Sequence, residues 1–281
     1  MKLYKKIISY IIETLGYDIT RLESGFLVTK KNTDEYEKNK SLYPYMLEQH
    51  LILLLKAYKV NCVLDVGANR GQYALKLRKL GYQGNIISFE PVKECFRVLK
   101  KLAQFDSKWF VYPFALGEKN FTTEIYVTNH TDFSSLLKAN SKSIDLFGDI
   151  SSVSSKEQIE VIRLDFALNK LVNDIEKPRY FLKIDTQGYD TQVFLGLGEY
   201  IKNVVGLQSE VSVIPIYEGM VPMSEAVSLY ESHGFEITGL FPVSIDKLTF
   251  RVVEFDCIMV RKAALKNHEV NSFSPREIRS G

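Results

Sequence analysis

Short runs of β-branched and aromatic residues alternate with stretches of helical period from about residue 60 onward, the rhythm of strands joined by crossover helices. The run Cys62-Val63-Leu64-Asp65-Val66 predicts a first strand, and a helix follows over 72–80 with Leu75, Leu77 and Leu80 among its apolar residues and Gly81 ending it. A second strand runs from Asn85 to Glu90, and Pro91 suits the first turn of a helix over 92–105. Strands are predicted at 109–114, 122–127, 159–164, 180–184 and 204–208. Asp165 would cap a helix over 166–172, and Val193, Phe194 and Leu197 are the apolar residues of the helix after strand 180–184. A helix over 223–233 ends at Gly234, and 235–240 with 255–260 make a closing strand pair.

Upstream, Leu3, Ile7, Ile8, Ile11, Ile12 and Leu15 fall at helical spacing, with Lys2, Lys5 and Lys6 near the start. This amphipathic helix would pack on the core or on a second subunit, which leaves a homo-oligomer open, and the alternative is peripheral contact with an anionic membrane. Residues 24–41 read as a short strand or loop around Leu27 and Val28, and a helix over 45–59 carries Leu47, Leu51, Leu54 and Leu55 into the first strand. The expected division is an N-terminal helical extension over 1–58, a single α/β domain over 59–262, and a polar tail over 263–281 without periodicity, expected to be disordered. Residues 130–156, rich in Ser, Asp and Asn, form a segment too long to be a plain connection and are expected to be a flap beside the site.

The 281 residues include 36 basic and 34 acidic ones, a net charge of +2, so there is no basic field to hold a nucleic-acid backbone. Cys62, Cys95 and Cys257 sit in apolar segments without metal-ligand spacing, which predicts buried free thiols and suits a reducing, cytoplasmic setting. No apolar run approaches the ~20 residues of a transmembrane helix.

Chemistry concentrates at the strand ends. The segment Asp65-Val66-Gly67-Ala68-Asn69-Arg70-Gly71 reads as strand, tight turn, helix. Gly67 can take a backbone conformation closed to other residues, and Gly71 lets a ligand or the helix come close. Glu90 ends the next strand nineteen residues beyond Gly71, about where an acid grips the ribose hydroxyls of an adenine cofactor. The glycine spacing departs from G-x-G-x-x-G, which argues against a dinucleotide and for S-adenosylmethionine, whose amino and carboxylate groups can use the polar groups of the turn around Asp65, Ala68 and Asn69. A plain structural turn is the alternative.

Six ordered blocks carry a family resemblance. They are Asp65 to Gly71; Phe89-Glu90-Pro91; Ala115-Leu116-Gly117; Ser134-Ser135-Leu136; Phe181 to Tyr189 around Lys183-Ile184-Asp185; and Glu210 with Ile216-Tyr217-Glu218-Gly219. Together they resemble the FkbM family of S-adenosylmethionine-dependent methyltransferases, over about 60–260. The resemblance implies a Rossmann-like class I methyltransferase fold, a mostly parallel seven-stranded sheet whose last strand inserts antiparallel, with Pro91, Ala115 and Leu116 beside the adenine. It also implies an O-methyltransferase acting on a sugar or glycan hydroxyl in a bacterial surface polysaccharide or a glycosylated natural product. One departure is Asp190, where the family usually has Glu.

A hydroxyl acceptor must lose a proton, and an unactivated hydroxyl is about as weak an acid as water, with a pKa on the order of 15. Asp185 and Glu210 end central strands on the same edge of the sheet where Asp65 and Glu90 are expected to hold the cofactor, and are the expected catalytic pair. Asp185 could act as general base, or it could ligate Mg²⁺ together with Glu210 and Asp190, a metal role that rests on analogy with related sugar O-methyltransferases. Alternatively Asp185 pairs with Lys183, which shares its strand face, or caps the following helix. His130 would be a base within the flap or a solvated bystander. Methylation of nitrogen or a carboxylate by the same fold, and a non-catalytic nucleotide-binding module, are the competing functions.

Overall fold

The computed structural model describes residues 12, 14–22, 25–32, 42–171 and 175–262. The chain divides into two compact units, Met1–Leu47 and Glu48–Gly281, eleven residues before the boundary expected from the sequence. The first unit contains a β-hairpin, β1 (Tyr17–Leu22) paired antiparallel with β2 (Gly25–Lys30), the second strand falling where a short strand or loop was expected around Leu27 and Val28. Most of the amphipathic segment over 1–15 and the whole tail over 263–281 lie outside the described residues. Helix α1 (Leu42–Ala57) leads into the second unit, where Leu51, Leu54 and Leu55 are buried.

The second unit begins with β3 (Cys62–Val66), α2 (Gln72–Lys79), β4 (Asn85–Phe89), α3 (Lys93–Ala103) and β5 (Trp109–Tyr112). A small sheet interrupts the alternation: β6 (Ala115–Gly117), β7 (Phe121–Thr128), the short helix α4 (Ser141–Phe147) and β8 (Val153–Arg163). The alternation then resumes with α5 (Leu164–Leu171), β9 (Tyr180–Ile184), α6 (Asp190–Leu195), β10 (Val204–Ser212) and α7 (Met223–Ser232), and closes on β11 (Phe235–Ile245) and β12 (Val252–Arg261).

The main sheet has seven strands in the order β11-β12-β10-β9-β3-β4-β5. Strands β5, β4, β3, β9 and β10 run parallel, and β12 inserts antiparallel between β10 and β11. Central strands buried on both faces are mostly apolar, and Cys62, Val63, Leu64, Ile86, Phe89, Phe181, Leu182 and Ile184 supply that core around the buried polar residues Asp65, Ser88 and Lys183. Phe194, Tyr230 and Phe235 add an edge-to-face aromatic cluster under α6 and α7.

The predicted strand 109–114 splits, because Pro113 and Phe114 turn the chain out of the main sheet. Ala115–Gly117 then pairs parallel with β8, and β7 pairs antiparallel on β8's other side. The flap segment is largely folded: a 3₁₀ turn at Thr131–Phe133 is followed by a backbone bridge between Tyr126 and Ser135, then by α4, and 153–156 already belong to β8. All three cysteines are free and buried. No helix among the described residues is long and apolar enough to cross a membrane.

Candidate active site

The carboxyl edge of the sheet carries a cavity of ≈ 340 Å³, bordered by the β3–α2 turn, the end of β4, strands β6 and β7, the 131–136 segment, and the ends of β9 and β10. Gly67 makes the turn possible. Its φ is +75°, and a Cβ there would lie 1.9 Å from the Asp185 carbonyl oxygen, so only glycine lets β3 and β9 end side by side. Gly71 serves packing, since a Cβ would press on the Trp109 ring at 2.9 Å and on Leu99. Ala68 is buried, and its N–H donates to the Phe89 carbonyl. Gly71 and Ala68 therefore shape the turn without lining the cavity.

Asn69, at φ +47°, turns its N–H onto the Glu90 carboxylate at 2.7 Å, and the Val92 N–H donates to the other Glu90 oxygen at 2.8 Å. These bonds aim Glu90 into the cavity with a lone pair spare on each oxygen. Burial pushes its carboxyl up to about 7, against the two N–H donors that favour the charged form. Pro91, Ala115, Leu116, Ile125 and Leu136 supply apolar wall beside it. The flap is tied to the turn, with the Asn69 side-chain amide donating to Asp132 at 2.5 Å and the Thr131 hydroxyl donating to the Asn69 side-chain oxygen Oδ1 at 3.1 Å.

Asp65 departs from expectation. Because β3 continues through Val66, Asp65 lies within the ladder, fully buried and off the cavity wall. It accepts from Ser88 at 3.0 Å and stands 3.3 Å from the Lys183 ammonium. Lys183 is itself buried, donates to the Gly67 carbonyl at 3.1 Å, and lies 3.4 Å from Asp185. Burial works against its charge, but Asp185 and Asp65 outweigh that and hold its pKa above the usual lysine range.

Asp185 and Glu210 both line the cavity, and a single side chain joins them. The Gln187 amide donates to Asp185 at 3.0 Å and to Glu210 at 3.0 Å, while its carbonyl oxygen accepts from the Tyr217 hydroxyl at 2.9 Å. Its backbone oxygen accepts from Ser135 at 2.7 Å, so the flap closes on the same residue. Gln187 also adopts φ +53°, a conformation rare outside glycine. Burial and then the nearby Asp185 push the Glu210 carboxyl well above the carboxylate range. Neither Gln187 nor Tyr217 was among the residues expected from the sequence, although both lie inside the family-like blocks.

Mg²⁺ does not fit this donor set. Asp185 and Glu210 direct oxygens at one amide, and Asp190 is turned inward, accepting from the Thr186 N–H at 2.9 Å, the Thr186 hydroxyl at 2.6 Å and the Ser209 hydroxyl at 2.9 Å. Among the described residues no group of three or more His, Cys, Asp or Glu side chains is arranged to hold an ion. Asp190 braces the turn after β9, which needs no longer acid. His130 is exposed and does not line the cavity, and its carbonyl caps the Thr128 hydroxyl at 2.6 Å.

A parallel sheet with an antiparallel strand inserted second from its edge, and a cavity at its carboxyl ends, is the class I methyltransferase fold. The family model for the methyltransferase FkbM domain matches residues 65–237, more than half of the chain, and the protein belongs to that family. Among solved structures it is similar to methyltransferase FkbM from Methylobacillus flagellatus, at 15% identity and a TM-score of 0.43, over 72% of this chain and 43% of that one. The chain thus spans less than half of that protein. It is also similar to Aeropyrum pernix fibrillarin in complex with S-adenosyl-L-methionine, at 11% identity and a TM-score of 0.43, over 87% of this chain and 83% of that one. A third likeness is to magnesium protoporphyrin IX methyltransferase from Synechocystis, also with S-adenosylmethionine bound, at 10% identity and a TM-score of 0.39, over 82% and 86% of the two chains. No curated protein matches the chain.

Proposed function

We propose that the protein methylates a hydroxyl group of a saccharide, using S-adenosylmethionine held at the β3–β4 side of the cavity. The supporting observation is that the cavity has two chemically different sides. Glu90 ends β4 and Glu210 lies on β10, three strands away, or roughly 14 Å at the usual spacing between strands. On the first side Glu90 would accept from the ribose hydroxyls, and Pro91, Ala115, Leu116, Ile125 and Leu136 would enclose the adenine. Bound there, the cofactor supplies an electrophilic methyl group on a sulfonium.

The second side is polar and fits a ligand rich in hydroxyls. Asp185 lines the cavity and would take the proton of the reacting hydroxyl, with the Lys183 ammonium 3.4 Å away fixing its side chain in place. Glu210, with its raised pKa, would carry a proton and donate a hydrogen bond to a second hydroxyl. In this reading Asp185 and Glu210 would divide the work of base and donor. Ser135 and Tyr217, through Gln187, hold the flap across this side and exclude water.

A second reading has a specific observation behind it: the 3.4 Å contact with Lys183 makes Asp185 a purely structural partner. Incubation with S-adenosylmethionine and a panel of sugar nucleotides and oligosaccharides should give a product heavier by one methyl group. Asp185→Asn should slow that reaction by roughly 10² to 10⁴ with cofactor binding kept. Wild-type turnover in Asp185→Asn and Glu210→Gln, or transfer confined to amine or carboxylate acceptors, would refute the proposal. A lowered melting temperature with normal turnover would favour the structural reading.

A further inference from the structure

Asp132 lies on the flap, in the 3₁₀ turn Thr131–Phe133, and borders the cavity beside the β3–α2 turn. Its Oδ1 accepts from the side-chain amides of Asn69 at 2.5 Å and of Gln72 at 3.3 Å. Its Oδ2 has no protein partner among the described residues. The flap is fastened beyond Asp132 as well, by the Ser135 hydroxyl on the Gln187 backbone oxygen at 2.7 Å and by the Tyr217 hydroxyl on the Phe133 carbonyl at 3.2 Å. Asp132 is thereby held in one place with one oxygen engaged and the other free.

Asn69 links Asp132 to the ribose side of the cavity. At φ +47° it holds its backbone N–H on Glu90 at 2.7 Å and its side-chain amide on Asp132. Bridged by one asparagine, the two acids are no more than roughly 10 Å apart. Charge points to the kind of ligand that would lie between them. Glu90, Asp132, Asp185 and Glu210 all border the cavity, and none of its bordering residues is Lys, Arg or His. Lys183, which does not border it, is engaged by Asp65, Asp185 and the Gly67 carbonyl. A cationic group is what such a wall complements.

We propose that Asp132 is a ligand of S-adenosylmethionine, its free Oδ2 accepting hydrogen bonds from the α-ammonium group at the methionine end of the cofactor. The assignment rests on the cofactor reading above. Glu90 takes the ribose hydroxyls in that reading, and a short flexible chain joins the ribose to the ammonium, long enough to span the separation of the two acids. The remaining acids are committed elsewhere, since Asp185 and Glu210 share the Gln187 amide on the acceptor side. Of the cofactor's polar groups only the ammonium is a charged donor, and an acid oxygen with no other partner is the acceptor it needs. The α-carboxylate only accepts, and would turn away from Asp132. Because Asp132 belongs to the flap, this bond would fasten the flap through the cofactor itself.

The test is calorimetric binding of three probes by the full chain. S-adenosylhomocysteine carries both the ammonium and the carboxylate, its deaminated analogue lacks only the ammonium, and 5′-methylthioadenosine keeps the ribose without the amino-acid group. Asp132→Asn retains an oxygen for the Asn69 and Gln72 amides, so the flap stays fastened. It should weaken S-adenosylhomocysteine roughly tenfold and should not weaken the other two probes. Glu90→Gln, by contrast, should weaken all three, because each of them carries the ribose. Melting curves verify that each variant is folded. Equal weakening of all three probes by Asp132→Asn overturns the proposal and leaves Asp132 as a fastening of the flap. Unchanged affinity for S-adenosylhomocysteine overturns it as well. In either case binding by the wild type keeps the cofactor reading standing, whereas a wild type that binds none of the three probes overturns both.

Discussion

Glu90 has to be ionised to accept hydrogen bonds from ribose hydroxyls, yet burial holds its carboxyl at about 7 in the ligand-free protein. Cofactor binding should therefore release a proton and weaken as the pH falls. For a group titrating at about 7 that must be charged to bind, linkage gives affinity about tenfold lower at pH 6 than at pH 8. The loss stops only when the bound-state pKa is reached. If the ribose hydroxyls restore the ordinary value near 4.5, the span is about 2.5 units, or roughly 3.4 kcal/mol. For the ligand-free fold the sign is opposite. A carboxyl raised above its unfolded value contributes stability that is present below about 4.5 and lost as the pH rises through about 7. Calorimetry with the demethylated cofactor from pH 6 to 8, in buffers of different ionisation enthalpy, reads affinity and proton release together. Glu90→Gln should bind more weakly and with a flat profile. A wild-type profile equally flat, with no proton released near pH 7, would show that Glu90 is not the ribose ligand.

Gly67→Ala should destabilise the fold by about 3 kcal/mol or more, because the new Cβ meets a backbone oxygen at 1.9 Å that no side-chain movement can relieve. An unchanged urea midpoint would refute the close approach of β3 to β9. Gln187→Glu puts a third carboxyl between Asp185 and Glu210 and removes both amide donors. Turnover should fall roughly a hundredfold at neutral pH and recover in part on acidification, as the new carboxyl gains a proton to donate. Cofactor affinity measured alongside should stay close to wild type, and wild-type turnover at every pH would remove Gln187 from the arrangement.

The parallel core could be read from the chain because its signals are local. Residues 180–184 and 85–89 are short runs in which apolar side chains predominate, and Gly81 and Gly234 end their helices where the pattern stops. The small sheet was less legible. Ala115–Gly117 is only three residues long and earns its strand geometry from a partner more than forty residues away in β8, a pairing that no local period records. The flap borders the cavity as expected, but its folded interior was not legible for a related reason. Its polar residues are not free loop but bonded inward, Asn140 capping α4 through the Ser143 N–H and Ser135 reaching the Gln187 carbonyl. Composition shows that such groups are polar and leaves their partners unstated.

At the site, the same limit separates Asp65 from Glu90. Both are acids near the end of a predicted strand, and sequence position alone makes them equivalent. What distinguishes them is one further residue of ladder. Val66 keeps Asp65 inside the sheet opposite Lys183, whereas β4 stops at Phe89 and frees Glu90 to turn into the cavity. The difference also changes what Asp65 does. A buried acid beside a buried lysine offsets the cost of Lys183's charge, and Lys183 in turn stands between Asp65 and Asp185. Removing Asp65 would leave Lys183 with Asp185 as its one carboxylate within 4 Å among the described residues, drawing the ammonium toward the acid proposed to accept the proton. If Asp185 is the base proposed above, the first acid of the turn would act on methyl transfer through Lys183 and Asp185, from a place off the cavity wall that its position in the sequence conceals.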